Sequence, residues 1–293
     1  MLFKKALMGA YARLEQFVYG GSASGNGKVY TSTDGTNILE RTLANNTLIQ
    51  ALTYGNKLYV AGGLLGASGS ILTSSDAITW TARTSPTTSS IRALTYENGV
   101  YVLGADNGGI ATSVNGSTWT SRTSGTTSTI RALTYGNAIY VYGGDGGVLR
   151  TSADGITWTS RTSGTTSQIN ALIYANNLYV MTGAGGMIRT STDAITWTGR
   201  TSGTTTTLNG LAYGNGVYAV AGFGGFVATS TDAITWTTRT TGTTSTIRSI
   251  AFGKGILVYG GDNFSGTSTD GITWTNTART AFGTQTIVYG DDT

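Results

Sequence analysis

The chain has 293 residues, 18 basic against 14 acidic, and a net charge of +4. It contains no cysteine and no histidine, which excludes disulfides, thiolate or imidazole metal sites and histidine acid–base chemistry. No apolar run reaches the ~18 residues that a membrane-spanning helix needs, and most arginines recur at a fixed interval instead of clustering as in a nucleic-acid binder.

Residues 1–15 stand apart from the rest. Leu2, Phe3, Ala6, Leu7, Ala10, Tyr11 and Leu14 follow helical i, i+3, i+4 spacing, with Lys4, Lys5, Met8 and Arg13 elsewhere on the wheel. The pattern predicts a short helix whose apolar side, Phe3, Leu7, Tyr11 and Leu14, docks on something. Its own fold, a larger assembly and a membrane surface are all open. The lysines, the apolar run and Ala10-Tyr11-Ala12 also resemble a secretion signal, but the apolar run is at the short limit, so the segment reads as part of the mature protein.

From residue 16 the chain repeats itself. "TSTDAITWT" occupies 190–198 and again 229–237. Aligned on Ser-x-Asp-x-x-x-Trp, seven copies place Asp34, Asp76, Asn115, Asp154, Asp193, Asp232 and Asp270 in one slot. A second slot holds Ile38, then Trp80, Trp119, Trp158, Trp197, Trp236 and Trp274, which are all the tryptophans of the chain. Self-similarity at roughly 40 residues marks a solenoid or a propeller. Within a unit such as 130–161, "IRALTY", "AIYVYG", "VLRTS" and "TWTSR" read as four short strands between Gly, Asn and Asp turns. Four antiparallel strands repeated radially describe a propeller blade. The Asp accepts backbone hydrogen bonds that close the third turn, and the Trp buries its ring beside it.

The two ends are incomplete in complementary ways. "QFVYGG" (16–21) matches a second strand, and "TIVYGDD" (286–292) matches a first strand. Their pairing would close the ring and hide strand edges. The expectation is an all-β, seven-bladed β-propeller over residues 16–293, closed by pairing of N- and C-terminal strands in blade 1.

The repeated phrase closely resembles the Asp box, or BNR repeat, of sialidases, photosystem II assembly-factor-type propellers, sortilin-type receptors and many bacterial and phage surface proteins. The resemblance covers about residues 16 to 293. It implies a propeller whose Asp boxes are structural and lie away from any active site. Sialidases of this family use three arginines, a tyrosine with a glutamate partner, and an aspartate. Here Arg41, Arg83, Arg122, Arg161, Arg200, Arg239 and Arg279 follow the Trp slot once per blade. Tyr54, Tyr96, Tyr135, Tyr174, Tyr213 and Tyr289, with Phe252, form another ring. A residue present in every blade serves the blade. The three glutamates, Glu15, Glu40 and Glu97, offer no positioned partner for a tyrosine and no carboxylate pair of the glycosidase kind. Neither catalysis nor any cofactor or metal is expected, and a glycosidase ranks last.

Function should lie where the blades differ. The loops between second and third strands share a face with the Thr/Ser-rich crossovers such as "RTSGTTST" (122–129), a solvated hydroxyl surface. These loops are about three residues longer in blade 1 (20–28) and blade 2 (62–70), and blade 7 carries "GGDNF" (260–264). Asn26, Lys28, Leu64, Leu65, Asn263 and Phe264 could together form a binding patch for a sugar or a protein; harmless drift in loop length is the competing reading. The Thr/Ser/Gly-rich composition points by analogy to a phage virion protein, a tail- or capsid-associated decoration or host-binding propeller that docks through residues 1–15. The alternative is a bacterial cell-surface or periplasmic propeller serving as an assembly factor or lectin-like module. Neither reading involves nucleic acid or a transmembrane segment.

Overall fold

The computed structural model describes residues 15–291, with backbone alone at 280 and 281. The helix expected in the N-terminal segment, with Phe3, Leu7, Tyr11 and Leu14, lies outside the described residues.

The described chain is a ring of four-stranded antiparallel units. Inner strands Leu48–Gly55, Ile91–Glu97, Ile130–Gly136, Ile169–Ala175, Leu208–Gly214 and Ile247–Gly253 each begin one blade, numbered 2 to 7. Each touches the next in sequence order. The last touches the end of strand Thr275–Gly290, which touches blade 2 and completes the circle at seven. The second strands are buried on both faces because blades pack on either side. In blade 4, Tyr140, Val141 and Tyr142 are at most 1% exposed. That explains their continuous apolar sequence where a half-exposed strand would alternate. Blades approach closely at glycines of these strands: a Cβ on Gly104 would stand 2.4 Å from Ile130 Cγ2 of the next blade.

Each recurrent Ser-x-Asp turn is closed by its own side chains. In blade 4, Asp154 Oδ1 accepts from the amides of Ile156 and Thr157 at 2.8 Å each and from Ser152 Oγ at 2.8 Å. In blade 3, Asn115 Oδ1 accepts the same two amides at 2.9 Å. An oxygen at this position is therefore enough to close the turn, whether or not it carries a charge. The backbone amides of Thr157, Thr196, Thr235 and Thr273, then those one residue earlier, hold the Asp154, Asp193, Asp232 and Asp270 carboxyls down at about 2. The residue after the Asp has positive φ, 71° at Gly155 and 60° at Ala194.

The tryptophans take two arrangements. Trp80, Trp119, Trp197 and Trp236 donate Nε1–H to the carbonyl three residues back. Trp158 and Trp274 instead face Tyr142 and Tyr259, with ring centroids 4.7 Å apart, and their Nε1 atoms have no acceptor. The ring contact follows from a Tyr at that place in the second strand.

Closure of the ring follows the expected strand exchange. Phe17 pairs with Tyr289 and Tyr19 with Ile287, while the other edge of the first strand, Gln16–Ala23, pairs with Asn26–Ser32. Strand Thr275–Gly290 serves blade 7 first and blade 1 afterwards, so these two blades share one six-stranded sheet.

Two details differ from expectation. Blade 1 has Tyr19 where blade 4 has Tyr142, but Ile38 where a Trp would meet it. The crossing strand fills the gap: Phe282, 3% exposed, sits 5.9 Å from Tyr19 and 4.8 Å from Tyr30. Arg279 also leaves the ring of arginines to which its sequence position assigned it. Arg41, Arg83, Arg122, Arg161, Arg200 and Arg239 donate Nε–H to the Thr hydroxyl ten residues earlier. Arg279 donates Nε–H to Ser265 Oγ and an Nη2 proton to the carbonyl of Thr36 in blade 1. Its guanidinium lies 5.7 Å from the Phe282 ring centre. The reason is spacing: Arg279 stands five residues after its Trp, where the others stand three after theirs.

Candidate functional site

The two faces of the disc differ. The loops between second and third strands meet the crossovers on one face, as in the backbone bonds from Asp106 to Ser90 and from Asp145 to Thr129. The Ser-Asp turns lie on the other face beside the first hairpin turns, where Asn215 Nδ2 bonds the carbonyls of Gly255 and Thr269. We call these the loop face and the turn face.

The expected asymmetry of the loop face takes a definite form. In blades 3 to 6 the loop is a single 3-10 turn, such as Asp145–Gly147. In blades 1 and 2 the strands run on into longer hairpins, Ala23 pairing with Asn26 and Leu65 with Ser68. Asn26 lies exposed at a hairpin end and accepts from Asn46 Nδ2 at 2.9 Å. Leu64 is half-buried and Leu65 is 38% exposed. In blade 7 the chain makes no separate loop; Asn263, exposed, takes φ 62° between Asp262 and Phe264.

Two of the six candidate residues are placed differently from expectation. Phe264 is 7% exposed and packs edge-on against Tyr259 at 6.0 Å, so it is core and not a surface contact. The backbone turn at Asn263 swings the chain back over its own blade and buries the ring. Lys28 is engaged by Glu40 of its own blade.

A second feature of the loop face appears only in the strand registers. Every inner strand of blades 2 to 7 slips by one residue near its start, between Ile49 and Ala51, Ile91 and Ala93, Ile130 and Ala132, Ile169 and Ala171, Leu208 and Gly210, and Ile247 and Ser249. In blade 1 the slip falls between Thr284 and Thr286. The seven unpaired residues are Gln50, Arg92, Arg131, Asn170, Asn209, Arg248 and Gln285. A bulge turns one side chain out of the sheet's alternation. All seven are long or amide side chains, all are half-buried, and all sit on inner strands at the loop-face end of the ring axis.

Their partners sort the blades. Arg92 binds Asp106 through Nε and Nη2 at 2.9 and 3.0 Å. Arg131 binds Asp145 and Arg248 binds Asp262 in the same two-pronged way. Each Asp is 14 residues after its Arg. At Gln50, Asn170 and Asn209 the residue 14 further on is apolar: Leu64, Ala184 and Phe223. There the amide reaches the neighbouring blade instead, Asn170 Nδ2 to the Leu208 carbonyl at 3.0 Å and Asn209 Nδ2 to that of Ile247 at 3.1 Å. Phe223 is 48% exposed. The mouth of the ring thus alternates charged sectors at blades 3, 4 and 7 with amide and apolar sectors at blades 2, 5 and 6. The guanidiniums, about a third exposed, are held rigid by their carboxylates. The sequence signal was a polar second letter in "IRALTY", "IQALTY", "INALIY" and "TQTIVY", a place where strand alternation otherwise runs apolar.

Among the described residues nothing comparable gathers elsewhere. Glu40 pairs with Lys28, and Glu97 lies in the first hairpin of blade 3, on the turn face. Among the described residues no group of three or more acidic side chains is disposed to hold a metal ion, and no helix is long and apolar enough to cross a membrane.

Fold and site together define a β-propeller with a built loop-face mouth. The model of the DUF6242 β-propeller domain family matches residues 88–198 and 129–248, together more than half of the chain, and the chain belongs to that family. No curated protein matches it. Among solved structures it is similar to YCF48 bound to a D1 peptide, with TM-score 0.62 and 16% identity over 85% of this chain and 89% of that one. It is similar to YCF48 from Cyanidioschyzon merolae, with TM-score 0.61 and 17% identity over 83% and 91%. The WD40 β-propeller domain of Doa1 gives TM-score 0.65 at 10% identity over 88% and 89%. At such identities the likeness is one of fold.

Proposed function

We propose that this protein is a non-enzymatic binding module of the assembly-factor kind, and that its ligand is an extended segment of a partner protein seated at the loop-face mouth. The observation that carries the reading is the ring of seven bulged residues, three of them arginines each clamped by an aspartate. Such a mouth offers guanidinium donors for a carboxylate, amides for peptide backbone, and Phe223 and Leu65 for apolar side chains. A peptide presents all three chemistries at once, and one similar fold, YCF48, has been solved with a peptide bound. We propose further that the recurring turn is an Asp box of the BNR kind with a purely structural role. The virion role suggested by composition has no counterpart among these neighbours, so the binding-module reading is the better supported.

The test is capture of arrayed peptides with acidic and apolar residues by the full chain, set against Arg92→Gln, Arg131→Gln and Arg248→Gln combined. A panel of bacterial surface polysaccharides is run in parallel with reducing-sugar release monitored. Peptide capture that falls tenfold or more in the triple variant is the expected result. Equal capture by both chains would remove the mouth from the reading. Binding to glycan alone would replace the peptide, and sugar release would overturn the non-enzymatic reading.

A further inference from the structure

The turn face carries a surface that the loop-face reading does not use. Two residues beyond Asp76, Asp154, Asp193, Asp232 and Asp270 stand Ile78, Ile156, Ile195, Ile234 and Ile272, which remain 43–53% exposed. In blade 3, which has Ser117 at that place, Val114 beside the turn Asn is 72% exposed. Side chains of this kind are normally scattered singly over a surface. Here the repeat sets them on one face, in six of the seven blades. Between blades 3 and 4 they border a groove of about 430 Å³ lined by Val100, Val114, Arg122 and Ile156, with Asp154 at its edge. The same face holds the carboxylates of Asp34, Asp76, Asp154, Asp193, Asp232 and Asp270. Lys57 and Lys254 stand in first hairpin turns of the same face, and Arg122 lines the groove while donating to Thr112, but the carboxylates outnumber these cations. An apolar, anionic surface calls for a cationic, apolar partner.

The described chain begins on this face. Gln16, at the turn-face end of its strand, is 7% exposed and donates Nε2–H to the carbonyl of Asp76, in the turn that carries Ile78. Residues 1–14, which precede it, contain Leu2, Phe3, Leu7, Tyr11 and Leu14 together with Lys4, Lys5 and Arg13 and no acidic residue. Fourteen residues reach at most about 50 Å when extended and about 21 Å as a helix, and the tether supplies a local concentration in the millimolar range.

We propose that the turn face is the docking surface for residues 1–14 of this same chain, along the arc that carries Ile78, Val114 and Ile156. Lysine and arginine would meet the ring of carboxylates, and the leucines and aromatics would cover the exposed aliphatic residues. The loop face then stays open while the turn face is capped from within. This inference rests on the turn face alone and survives if the loop-face ligand proves to be something else.

Because the chain has no cysteine, the test can be made on the full protein with one pair of spin labels, at Ala10→Cys and Val114→Cys. The expected result is a single narrow distance distribution, unchanged when labelled chain is diluted with excess unlabelled chain. It should broaden when Lys4→Glu and Lys5→Glu are added. These substitutions lie outside the ring, so the ring's melting serves as an internal check that the fold is intact. A broad distribution indifferent to the lysine changes would overturn the proposal. A narrow one that disappears on dilution would also overturn it, by assigning the face to a second copy.

Discussion

Phe282→Ala tests whether the crossing strand supplies the ring that blade 1 lacks. The phenyl group is 3% exposed and touches Tyr19, Tyr30 and the Arg279 guanidinium. Emptying such a site costs about 3–5 kcal/mol, of which aromatic pairing accounts for about 0.5–1.5 kcal/mol per pair. At about 2–4 °C per kcal/mol for a large domain, the melting midpoint should fall by about 6–20 °C. The informative partner is Ile38→Trp, which restores the residue found in the other six blades. Ile38 borders an open groove of about 480 Å³, so an indole has room there. Alone it should change the midpoint little; combined with Phe282→Ala it should recover a third or more of the loss. The assay is thermal unfolding by circular dichroism for the four chains of the cycle. A loss under about 1 kcal/mol for Phe282→Ala, or an identical effect of Ile38→Trp in both backgrounds, would refute the idea that one ring stands in for the other.

Other expectations bear on the turns and the closure. Asp154→Asn keeps the acceptor oxygen, as Asn115 does, and should lose only the part that depends on charge, less than Asp154→Ala, which leaves two amides without an acceptor and should cost about 0.5–2 kcal/mol. Asp154, Asp193, Asp232 and Asp270 have folded values of about 2, below the ordinary 3.8. Their contribution is therefore complete above about pH 4 and is lost as pH falls through about 2. Melting midpoints recorded between pH 5 and 2 should drop across that window, and Asn115→Asp should steepen the drop; a flat profile would contradict it. Deleting residues 286–293 removes the strand opposite Phe17 and Tyr19 and should abolish the single cooperative transition. A truncated chain that melts at the parent temperature would show that closure does not depend on the exchanged strand.

Much of this architecture was legible because it is periodic. A Trp slot filled in six units, and a first and last repeat that complete one another, determine blade number and closure without any knowledge of packing. The turn face was equally legible, since Ser, Asp and the two amides that follow interact within five residues. What escaped is what depends on register. Arg92, Arg131 and Arg248 look like solvent-facing strand residues until the one-residue slip is known, and a slip is a property of two strands together. The burial of Phe264 escaped for a related reason: its exposure was inferred from loop position, whereas the positive φ at Asn263 returns the chain to the sheet. Phe282 was invisible as a substitute for Trp because it approaches Tyr19 from 263 residues away in sequence, through closure of the ring.

The shared sheet of blades 7 and 1 also has a mechanical meaning. Gln16 and Gly290 are partners at the same end of adjacent antiparallel strands. Tension applied through the chain ends would load their ladder one bonded pair at a time, beginning at Gln16 and Gly290 and moving inward past Phe17 and Tyr289. That is peeling, which resists force far less than shearing several pairs together. A pull along the chain would open the disc at this seam first, and the blades formed by consecutive sequence would still be standing when it did.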